Sequence, residues 1–241
     1  MSIQIKVLGK PAFDNAVFVT VDTGQSLTRL LFDCGSNCLD DLSISEVQSL
    51  DGVFFSHFHM DHISGFDSLL RFNFDREPDR PLQLFGPEDT LRVMHHKLQG
   101  FTWNLVGDST GVVDVREYSF GNMNRQVFHT RSKFVEPTTE SCETWEDNVV
   151  LRHPDFQVSM IALPHGCVSA GYVVRENVKT NIDVDRMQTL GLKPGPWIQQ
   201  LKQGSPATGE VEIENKIYSI QQLRQDLVAN ECQYVLGARM Y

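Results

Sequence analysis

His57-Phe58-His59-Met60-Asp61-His62 places three of the chain's eight histidines and one carboxylate within a single hexapeptide. The preceding run, Gly52-Val53-Phe54-Phe55-Ser56, reads as a buried strand, and Ile63-Ser64-Gly65-Phe66 reads as a turn into a helix. Burying that many polar groups at one junction is costly unless each has a partner. Imidazole and carboxylate are the ligand types that hold Zn²⁺ or a similar divalent ion near neutral pH. In a locally extended loop, residues two apart point the same way, so His57 and His59 can grip one ion. Asp61 and His62, at the following turn, can face a second. Two such ions about 3.5–4 Å apart can activate a water and stabilise the leaving oxygen of a displaced phosphate or acyl group.

A chain of 241 residues can bury a real core, and a composition of 41% hydrophobic and 22% charged residues is ordinary for a globular protein. No apolar stretch approaches the length of a membrane span. Met1–Leu8 alternates like a first strand and lacks the layout of a signal peptide, so a cytoplasmic location is expected, with no membrane partner. The five cysteines are scattered and form no CxxC pair, which fits reduced thiols better than a disulfide framework or a thiolate zinc site. A net charge of −10 argues against a broad nucleic-acid footprint. A metal pair would itself add positive charge where a phosphate would sit.

Along the chain, candidate strands are Ser2–Leu8, Phe18–Val21, Leu30–Asp33 and Val53–Ser56, then Pro81–Gly86, Val112–Tyr118, Gln126–Thr130, Val149–Arg152, Phe156–Leu163 and Gly171–Arg175. Helices are predicted over Ile63–Phe72 and from Pro87 to about Gln99. Hairpins come early and strand–helix units follow, which favours a layered α/β sandwich over a doubly wound sheet. Asp33, at a strand end, either orients a metal-bound histidine or merely forms a turn. From Glu176 to about Glu214 the character changes: Pro194-Gly195-Pro196, Gly204 and Pro206 interrupt regular structure and lysines recur. That stretch reads as an extended arm with short helical pieces such as Val184–Leu190, before a helix over Ser219–Ala229 capped by Ser219. Trp103, Trp145 and Trp197 all read as packing residues rather than base-stacking platforms, and Trp197, in the arm, is the one worth testing for RNA contact.

Leu163-Pro164-His165-Gly166 puts a further histidine at the end of an apolar strand. With His57 and His59, a third imidazole would complete a three-ligand face with an open position for water. At this point the chain resembles the metallo-β-lactamase fold superfamily, and within it ribonuclease Z-like members. The resemblance lies in Leu31-Phe32-Asp33-Cys34-Gly35 and in Ser56–Gly65, which matches H-x-H-x-D-H-x-x-G. It extends to His165 followed by Gly171-Tyr172 and Glu176, and to Leu190–Pro196 followed by Leu201-Lys202-Gln203-Gly204.

The resemblance implies an α/β, metallo-β-lactamase-like αββα sandwich with its C-terminal half incomplete, spanning 1–241 as one domain with an arm at about 176–214. It implies a zinc held by His57, His59 and His165 and a second by Asp61 and His62, with Asp61 also catalytic, positioning or deprotonating the attacking water. It implies an arm that contacts substrate, with Gly195, Pro196 and Lys202 as the candidates, and a tRNA precursor cut at its 3′ end. The stretch Gly9–Asn15 keeps a Pro and an Asn of the family's first loop but not its basic pair. No Asp follows Asp226 and no His follows His165, so the bridging Asp and late His of the family have no counterpart here. The expectation is one zinc site near complete and one poor, with a second copy or a complementary chain as the partner that completes it. Two other readings follow: a hydrolase of the same fold acting on a small ester, thioester or cyclic nucleotide, and a truncated, non-catalytic half.

Overall fold

The apolar alternation of the first third builds one edge of a large sheet. The computed structural model describes residues 2–10, 13–119, 121–177, 179–202, 209–231 and 235–238. β1 (Ser2–Leu8), β2 (Ala16–Asp22) and β3 (Leu27–Phe32) run antiparallel. A short α1 (Ile44–Gln48) follows, its start held by a reciprocal capping box between Ser43 and Glu46. β4 (Gly52–Phe54) then lies parallel to β3. After α2 (Met60–Ile63) and α3 (Phe66–Asn73) come β5 (Leu82–Pro87), α4 (Thr90–Gln99), β6 (Val112–Ser119), β7 (Asn122–His129) and β8 (Thr139–Thr144). These eight strands form one sheet in chain order, with β3 to β6 parallel at its centre.

Parallel strands at the centre of a sheet need cover on both faces. Val53, Phe54 and Phe55 are accordingly all buried, and successive residues feed opposite layers. Leu31, Val53, Phe55 and Leu84 pack against Val47, Leu69, Met94 and Leu98 of the helices. Phe32, Phe54 and Phe85 face a second sheet built from β9 (Val149–Arg152), β10 (Phe156–Pro164) and β11 (Val168–Glu176). β9 and β10, both predicted as strands, pair antiparallel as a hairpin. The three phenylalanines stack across adjacent strands, with ring centroids 4.9 Å apart for Phe32–Phe54 and 4.6 Å for Phe54–Phe85. Tyr172 of β11 meets Phe54 edge-on at 5.4 Å. Helix layer, sheet and second sheet give the layered sandwich that the element order favours.

Three local departures have physical causes. β8 was not anticipated because Thr-Glu-Ser-Cys-Glu-Thr lacks apolar alternation; it is an edge strand with most side chains exposed. The single helix expected over Ile63–Phe72 is two, broken at Ser64-Gly65. The helix expected from Pro87 starts at Thr90, since Pro87 still belongs to β5 and Asp89 turns the chain with φ 81.

Glu176–Val235 forms a compact unit of its own. It contains β12 (Lys179–Ile182), α5 (Val184–Thr189), α6 (Trp197–Lys202), β13 (Glu210–Ile213), β14 (Lys216–Ser219), α7 (Ile220–Leu227) and β15 (Val228–Glu231). β12 pairs with β15, and β13 with β14. Met187, Leu192, Trp197, Leu201, Val211, Leu223 and Leu227 make a separate hydrophobic core. The reading of this stretch as an extended arm is therefore corrected: apolar residues spread over several short elements collapse on one another. Ser219 does stand at the N-cap of α7, but its side chain makes no capping bond. Gly204 and Pro206 lie outside the described residues. β16 (Val235–Ala238) returns to the second sheet, giving the order β16-β11-β10-β9. Among the described residues, no helix is long and apolar enough to cross a membrane.

The aromatic stack makes a quantitative expectation. Phe54→Ala should cost about 3–5 kcal/mol, because it opens a cavity between two tightly packed sheets. Thr144→Ala on the exposed edge should stay within about 0.5 kcal/mol. Urea unfolding midpoints of the two variants check the contrast.

Candidate metal centre

β3 ends at Phe32 and the chain turns at Asp33, whose φ of 57 lies in the left-handed region that Asp accepts more readily than most residues. The Asp33 N–H donates to Phe54 O at 2.8 Å, which fixes the turn beside the end of β4. Its carboxylate is fully buried and accepts the Ser56 N–H and the Ser56 hydroxyl, each at 2.6 Å. His62 Nδ1 stands 2.6 Å from the same carboxylate, close enough to donate a proton into it. Asp33 is thus the orienting partner that one of its two sequence readings proposed. Ser56 Oγ lies 2.9 Å from His57 Nδ1. With the hydroxyl proton given to Asp33, His57 Nδ1 is the donor in that bond, so Nε2 keeps its lone pair.

The loop carrying the hexapeptide is clamped by backbone contacts that exclude side chains. Cys34 N donates to His62 O, and Gly65 N to Cys34 O, both at 2.8 Å. A Cβ on Gly65 would collide with Gly35 O, and one on Gly35 would collide with Asp61 O. These two glycines let strand end and helix start lie against each other. His59 then occupies the N-cap position of α2, with Asp61 in the first turn, where a carboxylate complements the helix dipole.

β11 carries the remaining imidazole into place. Ala170 N donates to Ser56 O, and the Tyr172 hydroxyl to Phe55 O, both at 2.8 Å. These bonds bring the loop between β10 and β11, with His165 on it, to the end of β4. Ligand nitrogens of His57, His59 and His165 all lie within 4.8 Å of one another, a set that could hold a metal ion. His57 Nε2 and His59 Nδ1 are 3.0 Å apart. Two nitrogens sharing a tetrahedral Zn²⁺ stand roughly 3.3 Å apart, given bond lengths of about 2.0–2.1 Å, so the donor set fits such an ion.

Asp61 and His62 form a second edge beside the first. Asp61 Oδ2 is 3.4 Å from His62 Nε2, and the His57 and His62 rings are 4.0 Å apart between centroids. His62 is buried, whereas the Asp61 side chain is 45% exposed and so reaches solvent. Sequence reasoning did not find Ser56 in this role, nor Asn15, whose amide nitrogen lies 3.0 Å from Asp61 Oδ2. Their only signal was position: one beside His57, the other in the Gly9–Asn15 loop.

In the second unit, Gly195 owes its identity to packing. A Cβ there would press against the Trp197 ring at 3.0 Å. Trp197 is buried and its indole N–H donates to Lys193 O at 3.1 Å, so it is the packing residue that the sequence favours. Pro196 and Lys202 are exposed.

Electrostatics favour a neutral imidazole at His57 and protonation at His62. Burial, followed by the neighbouring His62, His59 and His165, lowers the pKa of His57 to about 4. For His62, burial opposes protonation, but the hydrogen bond and charge of Asp33 outweigh it and raise its pKa. Burial raises the pKa of Asp33, against the lowering effect of its His62 and Ser56 partners.

Two measurements follow. Asp33→Ala leaves the Ser56 N–H and the His62 Nδ1–H without an acceptor and should cost about 2–4 kcal/mol, read from urea unfolding. In the metal-free chain, NMR should find His57 neutral down to a midpoint near 4, against an ordinary value of 6.5. Between those pH values the unfolded chain takes up a proton that the folded chain refuses. Its contribution to stability is therefore whole above pH 6.5 and lost as pH falls toward 4. Titration of His57 at its ordinary value would refute this.

A family model described as anti-Pycsar protein Apyc1 matches residues 8–130. The ribonuclease Z of Deinococcus radiodurans is 38% identical over 229 residues, covering 95% of this chain and 68% of that protein. The ribonuclease Z of Thermococcus sibiricus is 27% identical over 78% of this chain. The chain spans about half the length of this archaeal relative, 51%. Human tRNase Z, short form, shares 18% identity over 73% of this chain and 65% of its own, with a TM-score of 0.43. The chain belongs to the ribonuclease Z family, and over residues 8–130 also to the family described as anti-Pycsar protein Apyc1.

Proposed function

We propose that the chain is a zinc-dependent phosphodiesterase of the ribonuclease Z type, cutting tRNA precursors at the 3′ end in the cytoplasm. One observation carries this reading: three imidazole donors within 4.8 Å of one another, on a chain 38% identical to a ribonuclease Z over 95% of its length. His57, His59 and His165 would hold the first zinc, and Asp61 with His62 would supply two ligands to a second. A divalent ion in such a site supplies Lewis acidity toward a phosphoryl oxygen. The chain's own residues do the rest. Asp33 and Ser56 hold His62 and His57 with the right nitrogen bare. Asp61, half open to solvent, receives the proton of an attacking water and orients it.

Residues 1–241 act as one domain on this reading, and the second unit presents Gly195, Pro196 and Lys202 toward RNA. The charge of −10 leaves the metal centre itself as the local attraction for a phosphate. Among the described residues only Asp61 and His62 stand as ligands at this edge, and two ligands are too few for firm binding of the second ion. A second copy or a complementary chain that adds carboxylate and imidazole would complete that site.

The purified chain should carry about one tightly held zinc, by elemental analysis, and His59→Ala should abolish it. Two tightly held ions per chain would contradict the ligand count. Cleavage of a tRNA precursor, by the chain alone or mixed with a candidate partner, should vanish with His59→Ala. A preference for a small cyclic nucleotide or thioester over the precursor would sink the tRNA assignment in favour of the small-substrate hydrolase.

A further inference from the structure

Asn15 touches the Asp61–His62 edge in a way that the ligand motif does not require. Its backbone is pinned on both sides: the N–H donates to Asp61 O at 3.0 Å, and its carbonyl accepts the Gly35 N–H at 3.1 Å. Its side-chain Nδ2 donates to Asp61 Oδ2 at 3.0 Å and lies 3.4 Å from His62 Nε2. The His62 ring presents Nδ1 to Asp33 at 2.6 Å, so in the neutral ring, the form that can ligate a cation, Nε2 is the bare nitrogen on the side of Asn15. One amide group, with two hydrogens, therefore faces two acceptors that stand 3.4 Å from each other.

Among the described residues, no other side-chain hydrogen bond holds this carboxylate, 45% exposed, in one rotamer beside the buried imidazole. We propose that Asn15 is a positioning residue for the second cation, holding Asp61 and His62 at the spacing at which both can ligate one ion. The inference rests on the metal-centre reading above and adds to it the residue that preorganises the weaker site. Asn15 acts through Asp61 and His62, not on substrate. Partners of this kind commonly change metal affinity by about 10–100-fold when removed.

The test uses the whole chain with its histidine triad loaded with zinc. Mn²⁺ alone is titrated in, and paramagnetic broadening of the His62 imidazole signals is followed by NMR. The unsubstituted chain should broaden saturably, and Asn15→Ala should weaken the apparent affinity about tenfold. Asn15→Leu, which keeps the bulk without the donors, should match it. Zinc content of the triad and the urea midpoint should remain as in the parent, since both backbone bonds of residue 15 survive.

Unchanged Mn²⁺ affinity in both variants would overturn the proposal. So would absence of saturable broadening in the parent, or equal losses of zinc content and of stability that mark a general structural role. A parent chain that never holds zinc on the triad would instead refute the metal-centre reading itself, so the two failures are told apart.

Discussion

The buried carboxylate of Asp33 is the interaction on which the site depends. It sits in a left-handed turn at the end of β3 and takes three donors from the loop that follows β4. A carboxylate this deep is tolerable only when its acceptor capacity is used. The two ends of adjacent parallel strands are thereby tied through one side chain. The same bonds set the tautomers: His62 and, through Ser56, His57 each give their Nδ1 proton inward and turn a bare Nε2 outward. Packing, protonation and ligand direction are one arrangement here.

Around this hub, the third imidazole is placed by the second sheet. Tyr172 is both a ring in the aromatic contact with Phe32 and Phe54 and a donor to Phe55 O. The hydrophobic interior between the sheets therefore sets where His165 stands relative to His57, although 108 positions separate the two residues. The glycines at 35 and 65 serve the same closure from the other side, because any side chain there would push the strand end away from the helix start. Ligand geometry at the surface is a consequence of close packing beneath it.

Much of this was legible. The central strands announced themselves as apolar runs, and the hexapeptide as a cluster of imidazoles and a carboxylate at a strand-to-helix junction. The strand β8 was not, because an exposed edge needs no apolar face. The compact nature of the unit from Glu176 to Val235 was hidden for a different reason. Its core residues, such as Met187, Trp197, Val211 and Leu227, are spread singly over short elements broken by Pro and Gly. Composition there suggested a surface arm. Long-range burial gave the unit a core, with Trp197 in it.

By itself, the sequence determined the imidazole and carboxylate cluster, its local spacing within residues 57–62, and the strand that delivers it, because these follow from neighbours along the chain. Tertiary structure brought His165 to His57 and His59, a grouping that the family resemblance implied, and it alone decided that Asp33 serves both His62 and Ser56. It also decided that Asn15 reaches Asp61. Each of those contacts joins segments distant along the chain. Their distances are set by how two sheets and a helix layer pack, which no local pattern of residues encodes.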